Sequence, residues 1–213
     1  MEISNLEINY IIDEVIKRLK EKKEDKGILV EASGKHVHLS QKDVDILFGP
    51  GYELKKQRDL SQPGQYLCEE KVTLIGPKGV MQNVAVLGPV RKDTQVEISK
   101  SDAVLLGVKA PVRMSGDIKQ SAPISLATKT AAITIEEGVI VAKRHLHITP
   151  EDALKYGIKN NDIIKFKVNS DRSLIFDEVA VRVSDKFSTV VHIDYDEANA
   201  CGFVKGMRGE ILK

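Results

Sequence analysis

"GKHVHLSQKDVDILFG" (residues 34–49) and "AKRHLHITPEDALKYG" (residues 142–157) are one phrase written twice, over a hundred residues apart. Each copy places a basic residue before H-x-H-[LI]-[ST]-x-x-D, then an apolar helical turn and a glycine. Each follows a β-rich run, "GILVEAS" or "GVIVA", so the phrase predicts a strand that leads into a helix. Ser40 with Asp43, and Thr149 with Asp152, resemble the start of a capping box, and Pro150 suits the first helical position. The chain has five histidines; four lie in these copies and the fifth, His192, lies in "VVHIDYDEANA".

Side chains alternate across a strand, so residues i and i+2 share a face, with Cα atoms roughly 6 to 7 Å apart. Both imidazoles of an H-x-H can therefore converge on one cation. Zinc accepts imidazole nitrogen well, and three protein ligands with an open position form its catalytic pattern. A single H-x-H is ordinarily a pair of strand histidines and nothing more. Two copies, with a further histidine beside acidic residues, favour metal binding, and the ligands exceed the need of one ion.

From Gly27 onward short β-rich runs recur: "EKVTLIG", "NVAVLG", "TQVEIS", "AITIEEGVIVAKRHLHI", "DIIKFKV", "VAVRV" and "TVVHID". Gly, Pro, Asn and Asp punctuate them, and helical patterns between them are few. This argues for a mainly β fold of antiparallel sheets closed into barrels or sandwiches, not a doubly wound α/β fold. "IGPKGV" (75–80) lacks the surroundings of a P-loop and is expected to be a hairpin turn. Ahead of the β region, Ile8, Ile11, Ile12, Val15, Ile16 and Leu19 form a helical stripe over residues 4–19. It reads either as a helix docked on its own protein or a dimer mate, or as a detachable tag for another surface.

Composition excludes several classes of partner. A net charge of +1 with interspersed signs, and no Trp, argues against nucleic acid. No apolar stretch is long enough to span a bilayer, and the start is acidic rather than signal-like, so no membrane partner and a cytoplasmic location are expected. Cys68 and Cys201 stand alone and are expected to be reduced, small apolar core residues.

Residues 27–204 resemble the phosphate propanoyltransferase family, phosphotransacylases associated with bacterial microcompartments and propanediol degradation. The resemblance is carried in order by "SGKHVHLS", "LFGPGYELKKQRDLSQPGQY", "VTLIGPKG", "VLGPVRKDTQVEIS", "PVRMSGD", "EGVIVAKRHLHITPEDA" and "HIDYDEANA". It implies two small β-barrel domains with short capping helices, taken as residues 27–50 with 138–213 and residues 51–137, after an N-terminal helix and linker over 1–26. It implies exchange of an acyl group between acyl-CoA, propanoyl or acetyl, and inorganic phosphate, at a site of two zinc ions. Position by position, His36, His38 and Glu97 would hold the first ion and His145, His147 and His192 the second. Arg91 would hold phosphate, with Arg113 a weaker candidate, and Ser33, Leu87 and Asn199 would border coenzyme A. A homo-oligomer, a dimer, is further implied, with the N-terminal helix either docked or directing the enzyme into a microcompartment shell.

Direct attack by phosphate is expected, since no Ser-His or Cys-His arrangement is legible. One departure from the family pattern is "LATKTAAITI" (126–135) where a "GPKG" turn is usual, which predicts a different turn there. The alternatives are a cupin-like metal-dependent barrel, a metallo-thioesterase, or a non-catalytic metal-binding or shell-interaction protein.

Overall fold

The computed structural model describes residues 27–212, together with Ile12. The amphipathic helix expected over residues 4–19 falls, Ile12 apart, outside the described residues. In chain order the elements are β1 (Ile28–Ser33), β2 (His36–His38), α1 (Gln41–Phe48), β3 (Lys56–Asp59), β4 (Tyr66–Ile75), β5 (Val80–Gly88), β6 (Gln95–Glu97) and α2 (Lys100–Leu106). They continue with β7 (Val112–Arg113), β8 (Ala122–Ala127), β9 (Ala132–Ala142), β10 (His145–Ile148), α3 (Pro150–Tyr156), β11 (Ile163–Val168), β12 (Leu174–Val183), β13 (Val190–Asp194), α4 (Tyr195–Ala200) and β14 (Arg208–Leu212).

The strands close two six-membered rings. One barrel runs β1-β13-β10-β12-β11-β14. The other runs β9-β6-β2-β5-β4-β8, with β3 on β4 and β7 on β9 outside the ring. The two-barrel, mainly β expectation is met. Read in those orders, the rings also agree strand for strand in direction: parallel, antiparallel, parallel, then three antiparallel pairings. The barrels thus share one topology, in which β2 corresponds to β10 and β6 to β13.

Sheet pairing places the crossovers between barrels elsewhere than the expected borders at residues 50 and 137. β1 belongs to the first barrel and β2, two residues on, to the second; β9 belongs to the second and β10 to the first. In each copy, therefore, the strand before the repeated phrase and the phrase's own H-x-H strand lie in different barrels. Its strand-helix unit reads as continuous in the chain, but partners distant in sequence decide which ring a strand joins.

Alternation within H-x-H anchors this arrangement. Val37 and Leu146, the central residues, are fully buried, each in the apolar interior of its own barrel. Val37 packs with residues such as Leu39, Leu74 and Val96, and Leu146 with Ile148, Phe166 and Val181. The flanking histidines must then point away from the core, toward the other barrel.

The helices that follow are capped as their sequences predict, with one difference. Ser40 Oγ accepts from Asp43 N at 3.2 Å, and Thr149 Oγ1 from Asp152 N at 3.2 Å. The return half of a capping box is absent from both. Instead a threonine intervenes: Thr94 donates to the Asp43 carboxylate at 2.5 Å and accepts from Ser40 N, and Thr189 does the same for Asp152 and Thr149 N. Complete capping boxes occur at α2 (Ser99 and Asp102) and α4 (Asp194 and Glu197). Asp196, in the first turn of α4, also accepts from Ser101 N at 2.8 Å and Ser99 Oγ at 3.2 Å. A carboxylate there satisfies free amides at the start of α2 and joins the barrels.

The "IGPKGV" segment is a hairpin turn, closed by Gly76 N donating to Gly79 O at 2.9 Å. At the "LATKTAAITI" departure the β8–β9 turn is held by Thr128 Oγ1, which accepts from Thr130 N and Ala131 N, so no glycine is needed. Cys68 and Cys201 are free, buried thiols within the two cores.

Replacing Leu146 by Ala leaves a void beneath the second histidine pair. The substitution should cost about 2–5 kcal/mol of stability, measured by urea denaturation, whereas Leu146→Met should cost under about 1.5 kcal/mol.

Candidate active site at the barrel junction

Cross-strand register completes each histidine pair. His36 lies directly opposite Glu97 of β6, and His145 directly opposite His192 of β13. Residues directly opposite share a face, so the third ligand type arrives beside the first two without any loop excursion. The result is two clusters, His36–His38–Glu97 and His145–His147–His192, each with its ligand atoms within 4.8 Å of one another. In the shared topology, Glu97 and His192 are counterparts.

The side-chain chemistry of both clusters fits a cation. His36 Nδ1 lies 2.8 Å from Gly34 O, and His145 Nδ1 lies 2.9 Å from Lys143 O. A carbonyl only accepts, so each Nδ1 carries the proton and a neutral ring keeps its Nε2 lone pair for a metal. Both ring nitrogens of His147 are buried without a hydrogen-bond partner among the described residues. An orphaned pair of that kind is costly unless another ligand engages it.

Burial, followed by the charges of His145, His192 and Arg182, pushes His147 down to about 2. Burial and the neighbouring His145 push His192 down to about 3. These rings are therefore neutral at physiological pH, the state that ligates metal. In the other cluster burial alone would raise Glu97, but His36, His38 and a hydrogen bond from Ser115 outweigh it and hold the carboxyl well below its usual range. Burial would lower His36, yet Glu97, at 3.5 Å from Nε2, raises it.

Both clusters open on one cavity of about 600 Å³ walled by both barrels. Arg91 reaches it from the second barrel. Its backbone is bridged to Ser40, and its guanidinium donates to Ser115 Oγ at 3.0 Å. Ser115 in turn donates to Glu97 Oε1 at 2.8 Å, and Gln95 Nε2 donates to the same oxygen at 2.5 Å. One hydroxyl thus orients both the carboxylate of a candidate metal cluster and a guanidinium.

Ser33 and Leu87 line the cavity as well. Asn199 does not; it is exposed on α4, outside the lining residues. Arg113 also stays out, paired with Asp117 at 3.1 Å.

Several lining residues went unrecognised in the sequence. Gln62, 4% exposed, exchanges hydrogen bonds with the Ser188 backbone in the other barrel, and its Nε2 lies 3.4 Å from His192 Nε2. Phe187 stacks on His147 with ring centroids 4.1 Å apart. Arg182 lies beside both. The legible signal for Arg182 was a lone charge within the apolar run "VAVRV"; Gln62 offered none beyond its place in a quoted motif.

Neither thiol offers a nucleophile. Cys68 and Cys201 do not line the cavity, and burial pushes Cys68 up to about 11. Ser33 Oγ is 3.4 Å from His36 Nδ1, but that nitrogen is committed as a donor to Gly34 O, so it cannot take the hydroxyl proton.

A sequence profile of the family described as phosphate propanoyltransferase matches residues 29–204. A protein named phosphate propanoyltransferase from Listeria monocytogenes serovar 1/2a is 54% identical over 211 residues, 99% of this chain and 98% of the relative. One of the same name from Enterococcus faecalis is 53% identical over 206 residues, 97% of each chain. Another from Thermotoga maritima is 54% identical over 175 residues, 82% of this chain and 83% of its own length. Among the described residues, no helix is long and apolar enough to cross a membrane.

Ser115→Ala removes the shared anchor of Glu97 and Arg91. Divalent-ion affinity at the His36–His38–Glu97 cluster should fall about 10- to 100-fold, read by competition with a chromogenic chelator, while the His145 cluster keeps its affinity.

Proposed function

The chain belongs to the phosphate propanoyltransferase family, and from that premise we propose that it exchanges an acyl group between acyl-CoA and inorganic phosphate at the junction cavity. The observation that carries this reading is the meeting of two three-ligand clusters and an arginine on one cavity formed by both barrels. Zinc suits both donor sets: three imidazoles in one, two imidazoles and a carboxylate in the other. When bound, such ions supply Lewis-acid polarisation of a carbonyl and stabilisation of a departing thiolate.

The chain's own residues do the rest. Arg91 presents a planar fork of donors to phosphate oxygens, and Ser115 fixes its direction. A phosphate oxygen then attacks the thioester carbonyl carbon; the new C–O bond forms, the C–S bond breaks, and the thiolate leaves as coenzyme A. Positioning matters most here, because an anionic nucleophile must approach an ester whose transition state also gathers negative charge. Ser33 and Leu87, from the two sides of the cleft, border the path of coenzyme A. Among the described residues that line the cavity there is no thiol and no serine activated by a base, which supports transfer in one step, without an acyl-enzyme.

Acetyl-CoA and propanoyl-CoA are both candidate substrates. The working protein is a homodimer in the cytoplasm or within a bacterial microcompartment, in the latter case for propanediol degradation.

Free-thiol release from acetyl-CoA and propanoyl-CoA tests the reading. Release should require phosphate, vanish on chelation and return with zinc. His145→Ala should abolish it while leaving the circular dichroism spectrum near intact, and Arg91→Lys should lower turnover at least tenfold, on the order of one charge-assisted hydrogen bond. Phosphate-independent release would instead identify a metallo-thioesterase, and no release from metal-loaded protein would return the cupin-like or non-catalytic readings.

A further inference from the structure

Arg182 sits on β12 opposite His147 of β10 in a parallel register, with Ala180 opposite His145. Its side chain therefore leaves the same face of the first barrel as the three histidines. The guanidinium lies 5.6 Å from the centre of the Phe187 ring, and Phe187 itself stacks on His147. An aromatic face that holds a guanidinium this way leaves its N–H edge free to meet a ligand.

Among the described residues, Arg182 makes no salt bridge. The carboxylates that line the cavity are engaged elsewhere: Glu31 by Ser61, Glu97 by Gln95 and Ser115, Asp194 as the cap of α4. Arg91 likewise makes no salt bridge among the described residues; burial disfavours its charge and that of Arg182, while the Glu97 carboxylate favours both. Two half-buried guanidiniums thus line one cavity from different barrels with no salt-bridge partner among the described residues, an arrangement that suits an anionic ligand.

The correspondence between the barrels bears on the same cavity. Continuing the β2–β5 ladder from His36 opposite Ala85 puts Leu87 beside His38, so Leu87 is the counterpart of Arg182. A leucine on one wall and an arginine on the equivalent wall make the cavity chemically two-sided.

We propose that Arg182 is a second phosphate-binding residue: it donates to the phosphate from the first barrel while Arg91 donates from the second, so that the anion bridges the junction. This rests on the phosphotransacylase reading, and deepens it by naming where phosphate binds.

The test uses the full chain, metal-loaded, as wild type, Arg182→Ala, Arg182→Met and Arg182→Lys. Thiol release gives KM for phosphate and for acyl-CoA, and thermal unfolding with added inorganic phosphate gives a binding readout without turnover. In the Ala and Met variants KM for phosphate should rise about 10- to 100-fold, the effect of losing a hydrogen bond to a charged group, with KM for acyl-CoA largely unchanged. Phosphate should no longer raise their Tm. Lys should recover part of the loss, since it keeps charge but not the fork.

Unchanged phosphate KM and an unchanged phosphate-induced Tm shift in both neutral variants would overturn the proposal. So would an equal rise in both KM values, which would reduce Arg182 to a support for His147. Failure of the wild type to release thiol would count against the phosphotransacylase reading instead; phosphate protection present in wild type and lost in the variants would still uphold Arg182 as an anion ligand.

Discussion

The site depends on the period-two alternation of a β-strand. Burying Val37 in one barrel and Leu146 in the other obliges the histidines on either side to leave the core together. Each buried aliphatic side chain contributes about 1.5–3 kcal/mol, so slipping either strand by one residue would bury imidazoles and expose that apolar surface. The ligand geometry is therefore held by the hydrophobic core. Glu97 and His192 then follow from register alone, as direct cross-strand neighbours of His36 and His145.

Electrostatically the junction is unusual for its mixture of neutral and charged bases. Burial keeps His145, His147 and His192 uncharged, whereas His36 is drawn toward its cation by Glu97. The two clusters thus offer a cation different environments, one of imidazoles only and one with a formal negative charge. Around them the cavity wall is rich in Arg and Lys, which suits substrates carrying phosphate groups.

Much of this was written locally in the chain. The two H-x-H strands, the Ser40 and Thr149 caps, the Pro150 start of α3 and the 75–80 hairpin all rest on residues within a few positions of one another, and all appear. The assignment of strands to barrels was not legible, because β2 and β9 belong with partners far away in sequence. The same reason hid Ser115, Gln62 and Arg182: an isolated Ser or Gln carries no periodic or spacing signal, and its importance comes from which distant strand it meets. Asn199, a position carried over from a family motif, is exposed on α4, away from the residues that line the cavity.

Because the strand before each repeated phrase joins the other barrel, each barrel is closed by the strand that precedes its neighbour's H-x-H. Such an exchange resembles the strand swapping known between symmetric subunits. Within this shared plan the two walls of the cavity differ: Glu97 stands against His192, and Leu87 against Arg182. A symmetric cavity would present the same chemistry from both sides, whereas unlike walls can receive two different reactants face to face.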